Sequence, residues 1–198
     1  MTTNQEAVIE ALRAEVPHEI ESRVPMTHAR QVDRGRCVQA TRVGLEALAY
    51  FGVTAKPLVT TMMAGNEDWV RWMLDGYPQP MPEEVWSVGI DPEPRSEHRG
   101  YPAHLVIEID GLLLDLDAGL YARPHKGIHL PPTIFTPLRR QGEGRPIAAV
   151  DLEDGGAVVY HDRSHYHVPP PNFRSIGSWK QTATWAGPVI RRMRERLG

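Results

Sequence analysis

The hydrophobic pattern changes period along the chain, from a helical first part to a β-rich second part. Across residues 37–51 (CVQATRVGLEALAYF) the polar side chains Gln39, Arg42, Glu46 and Tyr50 recur at three- to four-residue spacing. The other positions are apolar or small, which predicts a helix buried around most of its circumference. Gly52 supplies a stop, since glycine takes the left-handed conformation that ends helices without steric cost. An earlier helix follows from Val8, Leu12 and Val16 on one face, with Thr3 and Glu6 as its capping box and Pro17 as its end. Residues 17–36 read as an irregular approach to the buried helix.

Residues 53–61 then read as a strand, and 66–74 as a short helix carrying Trp69 and Trp72. The stretch 74–99 is rich in Pro, Gly and acids, with one strand at 85–90. The clearest β signal is 104–109 and 112–117 around Asp110-Gly111, the dipeptide of a two-residue type I′ hairpin. A second hairpin is predicted from 147–152 and 157–161. Pro188 opens a final amphipathic helix with Val189, Ile190, Met193 and Leu197 inward. This order predicts an α+β fold, a buried central helix packed on an antiparallel sheet, in one domain spanning 1–198.

Composition narrows the function classes. The formal net charge of -3 gives nucleic acid or acidic lipid no global attraction. No apolar run approaches the roughly 18 residues of a membrane helix, and the first residues lack a cationic-then-apolar leader. The expectation is a soluble, cytoplasmic protein without a nucleic-acid or membrane partner; nothing in the sequence speaks to oligomeric state. Cys37 is the one cysteine, so there is no internal disulfide and no Cys-rich zinc site. It is either a small apolar residue or a chemical one.

Position leaves both readings open, since a core cysteine at a helix start is common. Cys37 falls in the first turn of the buried helix, directly after Arg34-Gly35-Arg36. Unpaired amide groups, the helix dipole and two arginines all favour a thiolate there. In the first hairpin, the two-residue turn pairs Ile109 with Leu112. Counting outward, His104 faces Asp117 directly and Asp115 lies one diagonal step away. Side-chain alternation puts His104, Val106, Glu108, Leu113, Asp115 and Asp117 on one face. A carboxylate beside a histidine fixes its tautomer and stabilises the imidazolium, as nucleophilic catalysis requires. The plainer reading is a hairpin whose polar face meets water.

The order of a Cys at the start of a buried helix, a His opening a strand and an Asp in the next strand resembles transglutaminase-like and papain-like enzymes, and arylamine N-acetyltransferases share it. More closely, HLVIEIDGLLLDLDAGLY resembles a segment of small bacterial transglutaminase-like proteins, in which an Asp follows the His by eleven residues and an aromatic comes after. The resemblance implies a Cys37–His104–Asp115 triad, with Tyr121 at the aromatic position. Asp117 stands where the pattern has Thr, so Asp115 and Asp117 remain alternatives, with Asp115 favoured. VWSVGID and GYPAHLVI resemble the approach to the histidine. Gln31, six residues before Cys37, matches the spacing of an oxyanion-hole glutamine. The implied activity is acyl chemistry through a thioester, hydrolytic or acyl-transferring, on a protein, peptide or small amide or thioester substrate, with no cofactor. The alternative is a catalytically inactive member of the same fold, acting as a binding or regulatory protein.

Other features carry less. His161, His165 and His167 (HDRSHYH) invite a metal reading, but a Pro-flanked loop promises no convergent geometry. Arg191, Arg192, Arg194 and Arg196 complement the C-terminal end of the last helix dipole. Trp69, Trp72 and Trp86 read as core or cleft wall. The glycines at 142 and 144 lack the context of a phosphate loop.

Overall fold

The structure, a computed structural model, describes residues 1–24, 36–90, 103–139, 145–163 and 179–198, with side chains 179–183 left out. Four α-helices accompany seven antiparallel strands among these residues: α1 (Thr3–Arg23), α2 (Arg36–Tyr50), β1 (Lys56–Gly65), α3 (Glu67–Leu74), β2 (Ser87–Ile90), β3 (His104–Ile109), β4 (Leu112–Asp115), β5 (Ile134–Pro137), β6 (Ala148–Asp151), β7 (Ala157–Asp162) and α4 (Trp179–Leu197). The α+β class and the central helix against an antiparallel sheet are as expected. No helix among the described residues is long and apolar enough to cross a membrane.

Helix boundaries differ from expectation where proline was read as a stop. The capping box of α1 is Thr2 with Gln5, one residue before the predicted pair. Pro17 lies inside α1, which runs on to Arg23, and Pro188 lies inside α4 rather than opening it. Proline removes one backbone hydrogen bond and crowds the preceding turn, at about 3 kcal/mol. Tertiary contacts offset this. In α1 the buried stripe Val8, Leu12 and Val16 continues past the proline to Ile20, and in α4 Trp185 and Ala186 are already buried before Pro188. Arg192 of α4 donates to Glu15 at 2.7 Å and to Glu19 at 3.0 Å on α1, and Arg196 reaches Glu15 at 3.0 Å. These two arginines join the helices.

The sheet runs β5-β4-β3-β1-β7-β6, with β2 also paired to β1. β1 is its centre and longer than predicted. Lys56–Thr60 pairs with β3, while Met62–Gly65 pairs with β2 on the same edge, and β7 occupies the other edge. The sheet curls until its ends approach: Arg139 N, beyond β5, donates to Ile147 O, before β6, at 2.6 Å. Curling separates two cores. Ile107, Ile109, Leu114 and Leu116 face outward into the helices, whereas Met62, Val106, Leu113, Val158 and Tyr160 fill the inside. The alternation expected of the first hairpin is present, with Asp110 and Gly111 both at positive φ (48° and 77°), as a type I′ turn requires. Its His104 face, however, is not solvated: it belongs to the interior of the curled sheet.

Helix α2 lies closely on β3 and on Leu116 just beyond β4 because of Gly44. A Cβ there would stand 2.6 Å from Leu116 Cδ1 and 2.7 Å from Ile107 Cδ1, both in the helix-facing core. Gly44→Val is therefore expected to lower the unfolding free energy by about 1–3 kcal/mol, the usual range for overpacking a core. Urea denaturation measures this, and an unchanged midpoint would mean that α2 does not depend on this approach.

Candidate active site

Helix α2 is described as Arg36–Tyr50, with Cys37 in its first described turn. Cys37 is buried and clusters with Val38, Val59, Ala103 and Leu105. One turn on, the Thr41 hydroxyl donates to Leu105 O at 2.9 Å, and Gly44 another turn along allows the close seat on the sheet. Together they place the nucleophile candidate beside the start of β3.

His104 opens β3 and Asp115 closes β4. His104 Nε2 lies 2.7 Å from Asp115 Oδ2, with both side chains closed to solvent. The same Oδ2 accepts the Tyr160 hydroxyl at 2.9 Å, and Oδ1 accepts the Asp117 backbone N–H at 2.9 Å. Tyr121 packs edge-on to the imidazole with ring centres 5.5 Å apart, and Tyr160 stacks on it at 6.3 Å. Asp115 takes up Nε2. Nδ1 is buried, and the Cys37 thiol acts on the ring beside it, which leaves Nδ1 as the nitrogen to exchange a proton.

Burial opposes charge on His104, but Asp115 outweighs it, and the adjacent Cys37 thiol adds to the effect; the imidazole pKa is raised well above its ordinary value. Asp115 shows the complementary balance. Burial pushes it up, but His104, the Asp117 N–H and Tyr160 hold it below the ordinary carboxylate value. Tyr160 is pushed well above the phenol range by burial and by the Asp115 charge. The hydroxyl therefore stays protonated as a donor. In the unfolded chain histidine titrates near 6.5 and aspartate near 3.9. Stabilisation from His104 is thus complete below about 6.5 and lost as pH rises through its raised folded value. That from Asp115 is complete above about 3.9 and lost as pH falls through its lowered one.

Asp117 does not face His104 across the hairpin as the extended register predicted. The ladder of β4 ends at Asp115. Asp117 has φ -137° and ψ 20°, outside strand geometry, and leads into a turn of 3-10 helix (Ala118–Tyr121). Its Oδ1 accepts Arg36 Nε at 2.8 Å, while Oδ2 is buried without a hydrogen bond among the described residues. With one oxygen unsatisfied, burial outweighs Arg36 and raises this carboxyl to about 7. Its stability contribution therefore falls as pH rises from about 4 to about 7.

Of the residues singled out from sequence, Cys37, His104, Asp115 and Tyr121 converge. Asp117 is adjacent but turned to Arg36, and Gln31 lies outside the described residues. So do His165, His167 and the glycines at 142 and 144; His161 sits on β7 opposite Thr61. Among the described residues no group of three or more His, Cys, Asp and Glu is placed to hold a metal. Trp69 is buried beside Val85 and Ala157, while Trp86 is exposed with Lys126 Nζ 3.3 Å over its ring. Sequence reading missed Tyr160. The signal was its parity with Val158 along β7, which turns both inward and obliges the hydroxyl to find a partner.

Comparison with protein-family models, with characterised proteins and with solved structures yields no match to this chain. Function is therefore read from the site. Asp115→Asn removes the charge that raises the imidazole. The His104 ring proton, followed by NMR, is expected to titrate at lower pH than in the wild type. An unshifted titration would mean that Asp115 does not set the state of the ring.

Proposed function

We propose that this chain is a cysteine enzyme of transglutaminase- or papain-like type, carrying out acyl chemistry through a thioester with Cys37, His104 and Asp115. The observation that supports it most is the buried His104–Asp115 pair at 2.7 Å, whose charged form is also favoured by the Cys37 thiol through its interaction with the ring. A histidine held this way by a carboxylate on one nitrogen can serve as a proton carrier to a thiol on the other.

In this reading the Cys37 proton passes to His104 Nδ1, and Nε2–H stays on Asp115. The thiolate attacks the acyl carbon of an amide, ester or thioester, forming the C–S bond as the carbonyl oxygen takes up the electron pair. The Cys37 N–H in the first turn of α2 is the oxyanion donor, and such a donor contributes about 3 kcal/mol. Collapse of the adduct expels the leaving amine, alcohol or thiol, which takes its proton from the imidazolium. Water or an amine then attacks the thioester and loses its proton to Nδ1. The acid or transferred amide departs and Cys37 is regenerated.

The test uses an activated ester. With p-nitrophenyl acetate a burst of nitrophenolate is expected, with a single acetyl adduct on Cys37 by intact mass, both lost in Cys37→Ala. Iodoacetamide is expected to label Cys37 well below the ordinary thiol range near 8.5, with His104→Ala slowing it. Acylation that survives in Cys37→Ala would end the proposal. Labelling that follows an ordinary thiol titration would favour the non-catalytic, binding reading of the fold.

A further inference from the structure

Arg36, the residue immediately before Cys37, carries the most connected side chain beside the site. Its Nε donates to Asp117 Oδ1 at 2.8 Å, and one terminal nitrogen donates to both Glu21 Oε2 and Val24 O at 2.7 Å. Arg36 and Asp117 are both nearly closed to solvent, while Glu21 is half-exposed. One guanidinium thus ties three parts of the chain: the end of α1, the start of α2 and the exit from β4. The Asp117 backbone N–H continues the path to Asp115 Oδ1 at 2.9 Å, and Asp115 holds His104 at 2.7 Å. The result is a closed circuit: Cys37 is bonded to Arg36, Arg36 grips Asp117, Asp117 fixes Asp115, and Asp115 orients the ring on which Cys37 acts.

We propose that Arg36 and Asp117 are positioning residues, a clamp that sets the first turn of α2, and hence the Cys37 sulfur, against His104. This inference rests on the cysteine-enzyme reading above. Two features separate a clamp from an electrostatic activator of the thiol. The guanidinium is committed to Asp117, Glu21 and a carbonyl, so its charge is already matched. The bond to Asp117 uses Oδ1, leaving Oδ2 to take a proton, so the contact persists whether Asp117 is ionised or neutral. Asparagine keeps the same acceptor oxygen and leucine does not. The next side-chain hydrogen bond along α2, from Thr41 to Leu105 O of β3, lies more than a full turn farther along. Without the Arg36 clamp the first turn can fray outward while the rest of the helix remains seated.

The experiment compares iodoacetamide labelling of Cys37 across pH in the full-length wild type, Asp117→Leu, Asp117→Asn and the double variant Arg36→Met with Asp117→Leu. The double variant leaves neither partner charged and unpaired in the interior, so it carries the test should Asp117→Leu fail to fold. Thermal unfolding is measured alongside. Loss of the clamp is expected to slow labelling at pH 6.5 about 10- to 100-fold, the scale of a small misplacement of a reacting group. The profile should also move toward that of an ordinary thiol, and Asp117→Asn should restore most of the lost rate. If the pair is merely structural, Asp117→Leu and the double variant, where folded, will keep the wild-type pH profile, and the inference is overturned. Asp115→Asn separates the two levels. Wild-type activation that Asp115→Asn abolishes and the clamp variants retain would sink the clamp alone. A wild type that labels like an ordinary thiol would sink the cysteine-enzyme reading and the clamp together.

Discussion

The structure depends on burying a charged pair inside a curled sheet. Taking His104 and Asp115 out of water is unfavourable by several kcal/mol per ion unless their mutual attraction and further hydrogen bonds compensate. That condition is met around the carboxylate. Asp115 Oδ2 receives both the imidazole and Tyr160, and Oδ1 receives the Asp117 N–H. Each donor comes from a different place in the fold: the start of β3, the middle of β7 and the chain just beyond β4. The pair can therefore be satisfied only once the strands have assembled in their native register. A one-residue slip of β4 would turn Asp115 out to the helices and Leu116 inward.

Helix placement answers to the same constraint from the other side of β3. Gly44 brings the α2 axis close to Ile107 and Leu116, Thr41 pins it to Leu105, and Arg36 ties its first turn to Asp117 and to the end of α1. These three contacts fall at successive turns near one side of one helix. They leave little freedom in where the first-turn cysteine stands, and preorganisation of that kind is what makes a buried nucleophile–base pair chemically useful.

The polar groups divide into those satisfied twice over and those left short. Asp115 has three donors, and its pKa falls despite complete burial. Asp117, two residues on, has one arginine and an unsatisfied oxygen, and its pKa rises to about 7. Burial raises both carboxyls, but the His104 charge and three donors overcome it at Asp115, whereas at Asp117 repulsion from Asp115 adds to it. This contrast gives a physical reason for Asp115 being the one that orients the histidine.

Much was legible from local pattern. The narrow polar stripe at 37–51 marked the buried helix because helical periodicity is set by the chain itself. Asp110-Gly111 marked the turn because its two positive φ values exclude most other residues. Together they placed His104 and Asp115 on one face of adjacent strands and Cys37 in a first helical turn. What the sequence could not decide was anything set by contacts distant along the chain. Pro17 and Pro188 read as helix boundaries, yet packing between α1 and α4 carries both helices through them. The His104 face read equally well as solvated, since alternation assigns two faces to a strand but does not say which is covered. Asp117 looked like the direct partner of His104 until Arg36, 81 positions earlier, drew it away. Tyr160 joined the site from β7, 45 residues after Asp115. Local backbone preference thus marked most of the elements and brought Cys37, His104 and two candidate aspartates into view, while the curling of the sheet and the pairing of buried charges decided which carboxylate, which nitrogen and which tyrosine complete the site.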